Sequence, residues 1–124
     1  MTEEEFQAHM RTLLSDLLPE DQKDFHDGMG GWLTRRGPRR RVECADGYSV
    51  SVQGGYGKYS SPRCDEADEY RSWELGFPSD RPTAEVMGYC EHPEDPTNAI
   101  YPYVPTSAVI RLIEAHGGLA GPTQ

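Results

Sequence analysis

The alternation within VECADGYSVSVQ, Val42 to Gln53, constrains this chain more than any other stretch. Tyr48, Val50 and Val52 alternate with Ser49, Ser51 and Gln53, the period of a strand with one buried face, and Val42 to Cys44 supplies a partner strand. Parity decides the turn between them. A loop of Asp46 and Gly47 alone would set Ala45 opposite Tyr48 and turn Val42 and Cys44 away from Val50 and Val52. A three-residue loop, Ala45 to Gly47 with Gly47 in the left-handed region, pairs Cys44 with Tyr48 and Val42 with Val50 on one face. That second register keeps the apolar set together, so it is the one predicted.

Around this hairpin the remaining elements follow from spacing. Thr2 followed by Glu5 is a capping box, and Phe6, Met10, Leu13, Leu14 and Leu17 repeat at helical spacing, which predicts a first helix ending near Leu18. Pro19 to His26 is predicted as a short second helix, broken by Gly28, Gly30 and Gly31, and a connector to Pro38 carries Trp32 and Leu33. Arg71, Trp73, Leu75 and Phe77 alternate with Ser72, Glu74 and Gly76 in a third strand closed by Pro78. Val86 to Glu91 is predicted as a fourth strand and Ala99 to Val104 as a fifth, whose Pro102 places it at an edge or a bend. Pro105, Thr106 and Ser107 open a final helix with Val109, Ile110, Leu112 and Ile113 as its buried stripe and Gly117 and Gly118 as its stop. The expectation is α+β: a small, mainly antiparallel sheet of four to five strands with N-terminal helices and a C-terminal helix. Residues 1–34 read as an N-terminal helical extension and 35–124 as the α+β domain, one compact unit in all.

Charge narrows the partners. The formal net charge is −9, yet Arg35, Arg36, Arg39, Arg40 and Arg41 form one basic knot. Residues 1–34 hold eight acids against two bases, and residues 42–124 hold thirteen against five. An acidic body repels a phosphate backbone and favours basic partners, so direct DNA binding is disfavoured except through the knot. The knot itself offers a phosphate or RNA contact, with Tyr56 and Tyr59 as stacking faces; the plainer reading is a solvated loop and strand edge pairing with the protein's own acids. Three cysteines, Cys44, Cys64 and Cys90, are an odd and unevenly spaced set, which argues for reduced thiols. No basic and apolar leader and no apolar run of membrane-spanning length is read, so a cytoplasmic protein with no membrane contact is expected.

No catalytic constellation emerges. Gly54 to Ser60, GGYGKYS, lacks the spacing of a phosphate loop and Lys58 is followed by Tyr59 rather than Ser or Thr, so the glycines read as a bulge or rim. Cys90 and His92 with Cys44 and Cys64 fall short of paired zinc-ligand spacing. Nothing places His9, His26, His92 or His116 beside a thiol, and any pairing chosen among 21 acids is arbitrary. No metal, cofactor or catalytic residue is expected.

ADGYSVSVQ at Ala45 to Gln53, YSSPR at Tyr59 to Arg63, ELGFPS at Glu74 to Ser79, DPT at Asp95 to Thr97 and the YPYVP to HGG end resemble a group of small acidic proteins encoded by bacteriophages and prophages. The likeness covers about the last two-thirds of the chain. It implies phage origin, residence in the host cytoplasm and a single domain, and it transfers no catalytic residue. Small acidic phage proteins, anti-CRISPR proteins among them, are often inhibitors that occupy a nucleic-acid-binding surface of a host defence complex. By that likeness the chain is expected to be a non-enzymatic anti-defence inhibitor of a basic host protein or ribonucleoprotein complex. Asp65, Glu66, Asp68 and Glu69 are the first candidate contact, and Glu3, Glu4 and Glu5 the second. Two other readings stand beside it: a small enzyme acting on a nucleotide or protein of the defence system through Gly54 to Ser60 and the arginines, and an immunity-type protein that neutralises a basic toxin.

Overall fold

The computed structural model describes residues 1–14, 38–55, 57–64, 67 and 69–121, together with the main chain of 24–26 and 32–34. Helix α1, Glu3–Thr12, begins with the predicted capping box: the Thr2 hydroxyl accepts from the Glu5 amide at 3.0 Å and the Glu5 carboxylate accepts from the Thr2 amide at 2.8 Å. Phe6 and Met10 lie on one stripe and are buried, as their spacing requires. The helix stops at Leu13, short of the predicted end near Leu18. Arg40 takes over there, its amide bonding the Leu13 carbonyl at 2.9 Å and its guanidinium the Thr12 carbonyl, which satisfies acceptors the helix end leaves open.

Asp24–His26 (β1) and Trp32–Thr34 (β2) form a two-stranded antiparallel pair with Phe25 opposite Leu33. This corrects the predicted helix from Pro19 to His26 over its last three residues; residues 19–23 lie outside the described part. Two short polar–aromatic–polar and aromatic–aliphatic–β-branched segments separated by a glycine-rich stretch favour pairing over a helical turn.

Val42–Glu43 (β3), Ser49–Gln53 (β4), Ser72–Gly76 (β5) and Ile100–Pro105 (β6) form a four-stranded sheet in that order, every pair antiparallel. The hairpin register is the predicted one. Val42 pairs with Val50, the Cys44 amide donates to the Tyr48 carbonyl at 2.8 Å, and Gly47 sits at φ +94°. Val42, Val50, Val52, Trp73, Leu75, Tyr101 and Val104 are buried and stand opposite one another across the ladders, so a single face carries the core. Phe77 does not continue that face: at φ +49° the chain turns before Pro78 and leaves its ring exposed.

β6 is an edge strand, as Pro102 predicted. Trp73 pairs with Val104 and Leu75 with Tyr101, so Pro102 and Tyr103 bulge opposite Glu74; Tyr103 turns to φ +52° and its amide bonds the Tyr59 carbonyl at 3.0 Å. At the opposite edge, Cys44 bridges to Leu119 and the Ala120 amide bonds the Glu43 carbonyl at 2.9 Å, so the segment after the last helix lies along β3.

The predicted strand over Val86 to Glu91 is instead a short helix, α2, Ala84–Met87, ending at Gly88. An apolar run this brief carries no period that separates strand from helix, and its buried residue, Val86, needs only one contact face. A single turn of 3₁₀ helix, Pro96–Asn98, precedes β6. The last helix, α3, Thr106–Ala115, buries Val109, Ile110, Leu112 and Ile113 and stops where Gly117 and Gly118 adopt φ +87° and +88°, as read from the sequence. Glu85 and Arg111 join α2 to α3 through two parallel bonds of 2.9 and 2.6 Å. Phe6 meets Trp73 edge to face at 5.5 Å between ring centroids, which sets α1 over the same sheet face as α3. The architecture is α+β, and among the described residues no helix is long and apolar enough to cross a membrane.

Candidate functional site

The main chain at Tyr70 is the point where the two long helices meet the sheet. Gln7, on the buried side of α1, donates from Nε2 to the Tyr70 carbonyl at 2.7 Å and accepts at Oε1 from the Tyr70 amide at 3.2 Å. Thr106, at the start of α3, donates to the same carbonyl at 2.7 Å and accepts from the Trp73 indole at 3.0 Å. A residue just ahead of β5 is thereby tied to both long helices. Its ring lies against Gly54, where an added Cβ would fall 2.7 Å from two ring carbons, so the first glycine of the GGYGKYS stretch is required by close approach. Ser60 closes the same loop, accepting from the Gly55 amide at 3.1 Å and donating to the Pro62 carbonyl at 2.9 Å. Tyr56 lies outside the described residues.

Arg39 enters this framework from the basic knot. Only 8% of it is exposed, its amide and carbonyl are both held by the Gln53 carboxamide, and Nη1 donates to the Gly54 carbonyl. The guanidinium carbon stands 5.3 Å from the Tyr70 ring centroid and 5.6 Å from that of Trp73. Arg40 is spent on Thr12, and Arg41 donates to the Phe77 carbonyl at 2.6 Å and to Ser49 Oγ at 3.2 Å. Among the described residues no ion pair joins Arg39, Arg40 or Arg41 to an acid, and each guanidinium holds a backbone carbonyl from a different segment. Arg35 and Arg36 lie outside the described residues.

Beside Arg39 is a cavity of about 150 Å³. Tyr70, Trp73 and Arg39 form one wall, and Met10, Leu14 and Ala67 give it an apolar lining. Gln7 and Arg11 stand at the junction with a wider groove of about 430 Å³ flanked by Glu4 and Glu69. A further recess of about 140 Å³ brings Glu3 to the same Glu69, next to Tyr70 and Arg71. The structure thus unites members of both candidate acidic sets, Glu3 and Glu4 from the first turn of α1 and Glu69 from the loop before β5. Glu5 is exposed but committed to the capping box, which holds its carboxyl below the ordinary value through the Thr2 amide. Asp65, Glu66 and Asp68 lie outside the described residues.

A second titratable group sits at the other end of the sheet. His116, at the end of α3, meets Asp46 in the hairpin turn at 2.8 Å and stacks on Tyr48 with ring centroids 3.8 Å apart. The Asp46 carboxyl is held below its ordinary range first by the Tyr48 amide and then by His116. The neighbouring Cys44 thiol is pushed up to about 11 by burial, with Asp46 adding to it, so it is protonated at neutral pH and a poor nucleophile. This cluster clasps helix to hairpin; the backbone bonds from Ala45 to Gly118 and from Asp46 to His116 run alongside. Cys64 is exposed and Cys90 half-buried, and among the described residues no three His, Cys, Asp or Glu side chains converge as metal ligands. Tyr59 lies beside Tyr103 at 6.0 Å and under Arg63 at 5.7 Å.

Sequence reasoning missed Gln7, Met10 as a cavity wall, Tyr70 and the burial of Arg39. One signal was available: Gln7 is a polar residue adjoining the Phe6–Met10 stripe, a position that needs a partner once buried. Compared with models of known protein families, with curated proteins and with solved structures, the chain finds no match.

Proposed function

We propose that the protein is a non-enzymatic binding protein that sets its acidic face against a basic, nucleic-acid-binding surface of a partner. On the narrower reading supported by the phage resemblance, that partner belongs to a host defence complex. The observation that carries the proposal is that Glu69 borders both the groove lined by Glu4 and the recess lined by Glu3. Carboxylates fixed on a rigid support present negative charge at set spacings, as a phosphate backbone does, and a net charge of −9 steers a cationic surface toward them. The Gln7 clasp supports this reading by tying α1 to the main chain of Tyr70, the neighbour of Glu69.

The test is capture from a bacterial lysate at low salt by the native protein and by a Glu3→Lys, Glu4→Lys, Glu69→Lys variant, with mass spectrometry of what co-purifies. A basic nucleic-acid-binding protein retained near equivalence by the native chain, released by salt and lost from the variant, supports the reading. Capture that ignores both ionic strength and charge reversal overturns it.

A further inference from the structure

We infer that the cavity beside Arg39 is a binding site for a small molecule with a flat apolar body and one carboxylate. The inference is independent of the acidic face. Arg39 is more than nine-tenths buried, yet among the described residues it meets no carboxylate, and its Nε is sealed from solvent without an acceptor. A guanidinium has five donors, and the recorded side-chain bond, to the Gly54 carbonyl, uses one nitrogen. Two aromatic rings offset part of the cost of burying the charge, but ring faces do not accept in the guanidinium plane. Donors left in a low-dielectric wall attract a planar anion strongly at short range and favour a carboxylate, whose two oxygens match the fork.

Apart from Arg11, which stands at the junction with the wider groove, the rest of the cavity fixes the body of the ligand. Met10, Leu14 and Ala67 offer no hydrogen bonds from their side chains, and the Gln7 carboxamide is already committed to Tyr70. A volume of about 150 Å³ matches that of an apolar cavity able to take one benzene ring. Glu4 and Glu69 border the neighbouring groove and oppose a multiply charged anion at longer range, which selects a monoanion over a phosphate.

Benzoate is the probe, benzamide its uncharged isostere and inorganic phosphate the anion without a body. The readout is the indole N–H resonance of Trp73, which lines the cavity while bonded to Thr106. Benzoate should shift it saturably at about millimolar concentration, with benzamide about tenfold weaker and phosphate without effect. Arg39→Met should abolish the benzoate shift. Because that variant also removes the bond to Gly54, Ala67→Leu supplies a second check: it adds bulk to the cavity lining, keeps the arginine, and should abolish binding with the melting midpoint retained. Equal binding of benzamide and benzoate, binding of phosphate as tight as benzoate, persistence in Ala67→Leu, or no shift with benzoate at about 20 mM would each overturn the assignment.

Discussion

The Gln7 carboxamide grips the main chain of Tyr70 from two sides, donating to its carbonyl at 2.7 Å and accepting from its amide at 3.2 Å. A side chain on a helix thereby does what a neighbouring strand would do for an isolated extended residue. Gln7→Leu removes both bonds at once. The carbonyl keeps Thr106, whereas the buried amide is orphaned, so a loss of about 1–3 kcal/mol is expected, read as a lower urea midpoint at unchanged slope. Tyr70 should also become the first main-chain amide of its segment to lose exchange protection.

Gly54→Ala tests whether that glycine serves flexibility or fit. Its Cβ would land 2.7 Å from two carbons of the Tyr70 ring, which is packed between Gly54 and Trp73. A loss of about 1–3 kcal/mol is expected from overpacking, with a change in the Trp73 signal. At Gly47 a Cβ meets nothing within 4 Å, and the cost of Gly47→Ala comes only from φ +94°, about 1 kcal/mol. A neutral result at Gly54 in thermal unfolding would mean the ring can retreat.

Acid should loosen the fold at identifiable places. Asp46, Glu5 and Glu85 have carboxyls held below their ordinary values of 3.8, 4.5 and 4.5, by the Tyr48 amide, the Thr2 amide and the Arg111 guanidinium respectively. A depressed folded value means the folded state binds fewer protons than the unfolded one. The contribution is complete above the ordinary value and is lost as pH falls through the depressed one. Thermal midpoints should therefore decline below about pH 4.5, and an Asp46→Asn, Glu5→Gln, Glu85→Gln variant, less stable at neutral pH, should show a shallower decline.

The thiols should separate by reactivity. Cys64 is exposed, while burial pushes Cys44 up to about 11 and closes it behind Leu119. Iodoacetamide near pH 8 should label Cys64 within minutes and Cys44 only on the timescale of unfolding, as followed by peptide mass spectrometry. Rapid labelling of Cys44 would show that the Leu119 bridge opens in the native state.

What could be read from the sequence was what local period and turn parity determine. The Val42 to Gln53 register, the last helix with its two-glycine stop, the capping box and the edge position forced by Pro102 all depend on neighbours along the chain. Val86 to Glu91, and Asp24 to His26 at the end of the predicted second helix, were misassigned because each apolar pattern is too short to display a period. The cavity was illegible for another reason: Arg39 sits in a run of arginines, and its burial depends on Met10, Tyr70 and Trp73 from distant segments. The acidic pairing of Glu4 with Glu69 is likewise a product of Gln7 reaching Tyr70, a contact no spacing rule contains.

Both borders of the sheet end in chain that is already occupied or bent. Leu119 and Ala120 run along β3, and Pro102 with the turned Tyr103 interrupts β6. A second molecule finds no continuous row of free amides and carbonyls to extend. The geometry that shapes the four-stranded sheet therefore also disfavours strand addition and fibril templating at either of its borders.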